Sequence, residues 1–300
     1  YTEKLLCFDL EQGRELVGLA EEKGLYLGSA PDTFLGAGLQ TARKIIDCGL
    51  IGDVVSCIAA VNRNQPMNSE VFRAIRSEGG SFPYDVGVYY VTALLSLLVP
   101  VEKVTGFAAP APRYRGRFLW NGDFGKEWEL SGNNLQAASL LFKSGVIGSL
   151  HFNGLTIDDE EPLIRIYGTE GILSLGDPNR FDGRVTLIRS GEAESVMPFT
   201  HGFKGTPLYG APTAFDWGGH RGLGAAELAW SMRLGRTPRA EGAFGLHTLE
   251  VFHGIDKSAG TGRTYAMTTE CRLPRPLPSG YLAEELGGSM RADAETALTV

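Results

Sequence analysis

The chain has 300 residues, 43% hydrophobic and 21% charged, with 28 Lys and Arg against 35 Asp and Glu for a formal charge of -7. That composition describes a globular protein with material for one large or two medium domains. An acidic balance without a basic block argues against a nucleic-acid partner and against an anionic membrane surface.

Asp9 predicts the start of an amphipathic helix over residues 9–23, with Leu10, Leu16, Val17 and Leu19 on its apolar stripe and Gly24 as its stop. Residues 25–30 read as a short strand, so the first thirty residues resemble the tail of an α/β domain. A second helix is expected over 33–48, ending at Gly49, and an apolar strand over 53–61. Gly79, Gly80 and Pro83 then deliver Asp85 to the start of an apolar helix that runs towards Leu98. Helical spacing places Tyr89 one turn beyond Asp85 on the same face. Two readings of that pair stand side by side. A carboxylate and a phenol on one rigid element suit acid–base chemistry, whereas Asp85 as a helix cap and Tyr89 as packing need no function.

Strands follow at 101–108, 135–142, 146–152, 163–167, 172–175, 184–188 and 194–198, then helices at 222–234 and 243–258 and a closing strand at 264–267. Glycines at turn positions, among them Gly145, Gly168, Gly171 and Gly191, join these strands as hairpins. The middle of the chain is therefore expected to be an open, mostly antiparallel sheet with helices on one face, an α+β arrangement.

Cys7, Cys48, Cys57 and Cys271 show neither a CxxC pair nor metal-ligand spacing and read as small core residues of a reducing, cytoplasmic compartment. No apolar run reaches the length of a membrane span, and no signal peptide is visible. His247 and His253 are six apart on a predicted helix, off any same-face spacing, so no metal site is predicted. No GxSxG elbow supports a serine hydrolase. His201 and Arg221 flank a Gly/Pro-rich loop of the kind that contributes to sites, and Thr33 and Gln40 lie on the second helix facing a possible cleft. Gly36, Ala37 and Gly38 mimic the opening of a dinucleotide fingerprint, but Thr41 stands at the third glycine position and no acid-ended strand follows. Helix packing explains those glycines better.

Four stretches, in order, resemble one family. Glu3 and Lys4 followed by Leu5 are similar to a Glu-Lys-Pro motif. Gly49 to Gly52 is similar to a Gly-x-Ile-Gly turn, Gly79 to Tyr89 to Gly-Gly-Gly-x-x-x-Asp-x-Gly-x-His, and Gly168 to Gly171 to a Gly-Thr-Glu-Gly hairpin. Together they resemble the Gfo/Idh/MocA oxidoreductases, named for glucose–fructose oxidoreductase and inositol dehydrogenase.

The resemblance implies an N-terminal Rossmann domain that binds NAD or NADP, followed by a substrate and oligomerisation domain. Residues 1–31 would be the C-terminal remnant of the first, 32–275 the second, and 276–300 a loose tail, in a chain lacking most of its Rossmann domain. It implies catalytic roles for Lys4, Asp85 and Tyr89 and nicotinamide contacts from Glu3 and Lys4; from their positions alone, Thr33, Gln40, His201 and Arg221 are the expected substrate contacts. Lys4 would handle the substrate proton while a hydride passes between the nicotinamide and a sugar, polyol or cyclic alcohol, with Asp85 orienting Tyr89. A homo-oligomer is expected. Leu5 in place of the proline would loosen Lys4, and the neighbouring ammonium would favour the Tyr89 phenolate. A non-catalytic sugar-binding or oligomerising remnant is the alternative.

Overall fold

Alternating burial along the β-rich middle of the chain dictates a sheet with one dry face. The computed structural model describes residues 1–29, 31–204 and 221–278. The chain opens with α1 (Leu10–Glu22), whose cap Asp9 accepts a hydrogen bond from the Gln12 amide, and it stops at Gly24 with φ of +61°. A 3-10 turn (Asp32–Leu35) leads into α2 (Ala37–Asp47) and then β1 (Val54–Asn62). Next come α3 (Gln65–Val71) and, after a π-helical turn at Pro83–Gly87, the fully buried α4 (Val88–Leu97). Strands β2 (Val101–Pro110), β3 (Tyr114–Arg115), β4 (Glu127–Trp128), β5 (Asn133–Phe142) and β6 (Ile147–Asn153) follow. After them come β7 (Leu163–Gly168), β8 (Ile172–Leu175), β9 (Val185–Ile188) and β10 (Ser195–Val196). The described chain closes with α5 (Leu223–Leu234), α6 (Gly242–Thr261) and β11 (Tyr265–Ala266).

Nine strands form one sheet in the order β10-β9-β8-β7-β1-β6-β5-β2-β11, while β3 and β4 pair apart. Every pair is antiparallel except β1 with β6. Leu140, Phe142, Leu150, Phe152, Ile164 and Ile166 point to the face covered by helices, and all are buried. There α6 lies along β2 and β5, and α2 lies against β8 and β9. The opposite face carries Phe107 and Ile147, 78% and 59% exposed. The sheet is thus mixed by a single parallel pair and helical on one side. No helix among the described residues is long and apolar enough to cross a membrane.

Three sequence expectations change. The strand over 25–30 does not form a ladder. Its neighbourhood pairs only through isolated bridges, Thr2 with Ser29 and Gly28 with Glu241, while Leu25 and Tyr26 are exposed. The helix over 33–48 breaks at Gly36, which is extended there (ψ 160°) and packs so closely on Phe181 that a Cβ would sit 2.6 Å from the Phe181 Cα. The last hairpin strand is shorter than its apolar pattern, reduced to Ser195–Val196. Two elements were not foreseen: α3, capped by the Asn64 side chain on the Met67 amide, and the β3–β4 hairpin, too short to show alternation. Most of the tail expected at 276–300 lies outside the described residues, but Leu277 within it is buried.

The glycines of the fingerprint-like segment meet protein rather than open space. A Cβ at Gly38 would overlap the Gly183 carbonyl oxygen, a backbone group that cannot swing aside. Gly38→Ala is therefore expected to destabilise the fold by about 1–3 kcal/mol through overpacking, read as a lower urea midpoint at an unchanged m-value. An unchanged midpoint would show that α2 does not need this approach.

Candidate functional site

Pro83 sits in the first turn of the π-helical segment, and the wide turn it opens carries Asp85 to a half-buried position. Such single π-turns widen the helix locally and re-aim its side chains. Asp85 makes no cap hydrogen bond. Instead, Lys4, from 81 residues earlier, donates from Nζ to Asp85 Oδ1 at 2.5 Å and to the Asp85 carbonyl at 2.8 Å. Gln65, almost wholly buried, donates from Nε2 to Asp85 Oδ2 at 3.3 Å. The carboxylate is therefore fixed on both oxygens. Leu5 is buried in the main core cluster, so packing anchors the backbone after Lys4 where the motif proline would have done so.

Tyr89 follows on α4, with its ring buried between two cations. Lys4 Nζ and the Arg221 guanidinium each lie 5.2 Å from the ring centroid, within the range of cation–π attraction. Arg221 Nη1 donates to the Tyr89 hydroxyl at 3.2 Å, and that hydroxyl faces Glu3 Oε1 at 3.5 Å. Glu3 and Arg221 themselves stand 4.0 Å apart. Arg221 is held in turn by Asn179, through its carbonyl at 2.9 Å and its side-chain oxygen at 2.5 Å. Beside Lys4 and Asp85 opens a cavity of about 380 Å³ walled by Thr2, Phe8, Ile75, Glu78, Gly80 and Tyr84.

Charge and burial set the protonation states. Burial works to lower the Lys4 pKa, but Asp85, with support from Tyr89 and Glu3, outweighs it and the net shift is upward. Burial raises the Tyr89 phenol, and the nearby Lys4 and Arg221 cations only partly offset it. The sequence expectation of a favoured phenolate is thus corrected: desolvation wins. Burial also raises Glu3, against the pull of Lys4 and Arg221. At neutral pH the cluster presents a lysine ammonium and a neutral phenol, two donors side by side.

Of the residues singled out in the sequence, Glu3, Lys4, Asp85, Tyr89 and Arg221 come together. Thr33, Gln40 and His201 are engaged elsewhere. Thr33 is buried in the 3-10 turn, where its carbonyl accepts the Gly36 amide. Gln40 spends its side chain on the Phe34 carbonyl and the Leu277 amide. His201 bonds Thr200 and the Leu277 carbonyl, and burial lowers its pKa. His247 is likewise a packed group, accepting from the Val101 amide, with burial pushing it down to about 4. The Gly/Pro-rich loop between His201 and Arg221 lies largely outside the described residues.

Three contributors escaped the sequence reading. Gln65 and Asn179 are unmarked by any motif. Asp32 accepts from the Gly222 and Gly224 amides and so pins the start of α5 beside Arg221. Its only sequence signal is a short acidic side chain in a turn, which is common.

The model of the GFO/IDH/MocA C-terminal domain matches residues 39–174. No curated protein sequence matches the chain. Solved structures share the fold. The WlbA dehydrogenase from Bordetella pertussis, in complex with NADH and UDP-GlcNAcA, is 22% identical with a TM-score of 0.65, over 88% of this chain and 70% of that one. An NAD-binding oxidoreductase from Klebsiella pneumoniae is 19% identical with a TM-score of 0.70, over 89% and 73%. An inositol dehydrogenase homologue from Azotobacter vinelandii, complexed with NADH and myo-inositol, is 15% identical with a TM-score of 0.65, over 88% and 70%. From the second helix through the central strands, this chain is similar to the C-terminal domain of GFO/IDH/MocA proteins.

Proposed function

We propose that this chain is the substrate- and proton-handling part of an NAD(P)-dependent oxidoreductase that interconverts a secondary hydroxyl of a sugar, polyol or related cyclic alcohol with the carbonyl. The observation that carries the reading is the Lys4–Asp85 pair, held at 2.5 Å beside the buried Tyr89 phenol at the edge of a cavity. The neighbours solved with NADH and with a nucleotide sugar acid or myo-inositol support the chemical class.

The residues present fit only the reacting end of the dinucleotide. Glu3 and Lys4 border the cavity. Among the described residues the one parallel strand pair, β1 with β6, forms no βαβ nucleotide unit, and the glycines at 36 and 38 are occupied by packing. The phosphates would be held outside the described residues. When bound, the nicotinamide supplies or accepts the hydride.

The chain's own groups manage the proton. In the reducing direction the Lys4 ammonium and the Tyr89 phenol both donate towards the substrate oxygen as negative charge develops there, which lowers the barrier as a preorganised oxyanion site does. Asp85 holds Lys4 charged and aimed, and Gln65 holds Asp85. In the oxidising direction one of the two donors must first lose its proton, and both have raised pKa values. Glu3 borders the cavity, where it can bind flanking hydroxyls, and Arg221 stands 4.0 Å from it.

A second reading, a non-catalytic sugar-binding module, is favoured by the lack of a phosphate cradle among the described residues. We also propose a homo-oligomer through the outer sheet face around Phe107 and Ile147, since exposed apolar side chains on an open sheet call for cover. Phe107→Lys is expected to lower the molar mass measured by light scattering; an unchanged mass would place the contact elsewhere. The four free cysteines accord with a reducing, cytoplasmic location.

Reduced-nucleotide formation with a panel of polyols and sugars tests the enzyme reading. Lys4→Met is expected to cut turnover about 10²–10⁴-fold, and oxidation is expected to rise with pH about tenfold per unit above neutrality while reduction stays flat. No turnover together with no NAD(P)H binding would leave the binding-module reading standing. Asp85→Asn leaves the ammonium half-buried without its partner, so the Lys4 pKa should fall. Nuclear magnetic resonance of ε-labelled lysine reads that shift, and an unmoved Lys4 resonance would remove Asp85 from the proton path.

A further inference from the structure

A second cluster of charge lies around the loop between α5 and α6, and none of its residues belongs to the Lys4 group. Glu227, on α5, is buried and accepts from Arg236 Nη1 at 2.6 Å and from Arg239 Nη1 at 2.9 Å. Its other oxygen takes the Arg239 amide at 3.0 Å. One buried carboxylate thus answers two guanidiniums, and a positive charge is left over. Arg239 is fully engaged, since its remaining nitrogens reach the Arg275 and Pro276 carbonyls at 2.9 Å. Arg236 is not. Its side chain is only 9% exposed, yet Nε and Nη2 are buried with no hydrogen-bond partner among the described residues. Each unmet donor of a charged group is costly to bury, and two on one side chain call for an acceptor.

Arg236 lines a cavity of about 390 Å³ together with Arg239, Glu241, Arg272 and Arg275. Four arginines and one acidic residue therefore line it. That carboxylate, Glu241, is pushed up by burial, against the pull of Arg272. The wall is built rather than loose: Arg43 holds the Pro274 carbonyl at 2.8 Å while Arg239 holds the next two. At the rim begins α6, whose N-terminal residues Gly242 and Ala243 border an adjoining cavity that Arg236 and Glu21 also line. A helix of 20 residues directs partial positive charge to that end, and no side chain caps it there.

We propose that this arginine-lined cavity is a binding site for a compact oxyanion, the phosphate or paired carboxylates of a small molecule. Guanidinium forks match both groups through paired, charge-assisted hydrogen bonds. The ligand's oxygens would meet the exposed Arg272 and Arg275 first, Arg236 would turn its enclosed donors towards them, and the leftover charge would be neutralised. Occupancy would tie the α5–α6 loop to the segment at 272–276.

Thermal unfolding of the full chain, titrated with inorganic phosphate or with malonate against sodium chloride at matched ionic strength, tests the site. A ligand that binds only the native state raises the midpoint, and a saturable rise of about 2–4 °C is expected at millimolar concentration. Arg236→Met risks the Glu227 network, so the deciding variant is the exposed pair Arg272→Ala and Arg275→Ala. That variant should fold and lose the rise, while Arg113→Ala on the β3–β4 hairpin keeps it. A response to phosphate alone assigns a phosphorylated ligand, and one to malonate alone a dicarboxylate. No saturable rise, a rise equal to that with chloride, or a full response in the double variant would overturn the proposal.

Discussion

The contact between Lys4 and Asp85 joins the beginning of the chain to the first turn of its most buried helix, and the rest of the candidate site depends on it. An ammonium and a carboxylate, both largely hidden from water, hold one another only when the geometry is good, because desolvation opposes both charges. Here the geometry is secured from two sides. Leu5 is sunk in the main core, and Asp85 is fixed by Gln65 and by the backbone of a turn rooted in α4, which is buried along its whole length. The ion pair is thus a joint whose two halves are each positioned by apolar packing.

That dependence runs outward to the sheet. The face of α4 that Tyr90 presents meets Phe152 of β6, and Tyr84, one residue before Asp85, meets Phe252 of α6. Gly87 lets these rings close in, since a Cβ there would press on Phe152 at 2.9 Å. A small residue at this one place in the turn brings the helix down onto the sheet and so sets the height of Asp85 and Tyr89 above it. The site is placed by layers of side chains that take no part in its chemistry.

Much of this was legible in the amino-acid order. Turn glycines and alternation marked the hairpins of β5 to β8, and the Gly79–Tyr89 spacing brought Asp85 and Tyr89 to one cluster. Lys4 was legible only by resemblance, because nothing local to a lysine among Glu3 and Leu5 says which acid it will meet 81 positions on. Gln40 and His201 misled for a related reason. A buried amide or imidazole satisfied by backbone groups of distant segments, here Phe34 and Leu277, carries the same letters as one that faces a ligand. The break at Gly36 was hidden too, since it answers to the Phe181 backbone and not to helix propensity.

The Tyr89 phenol shows how opposing effects resolve at such a place. Two cations within 5.2 Å of a ring would, in water, draw its proton off more easily. The ring is nearly closed to water, however, and the loss of solvation for a phenolate exceeds what Lys4 and Arg221 return, so the hydroxyl stays protonated. The same cations still act on the neutral ring, drawn to its π-face, while the hydroxyl is aimed between Glu3 and Arg221. Burial of the ring therefore turns a pair of positive charges from a device for ionising tyrosine into one for orienting it. A neutral, oriented phenol beside a lysine kept charged by Asp85 is suited to meeting negative charge on an oxygen rather than to pulling a proton from one.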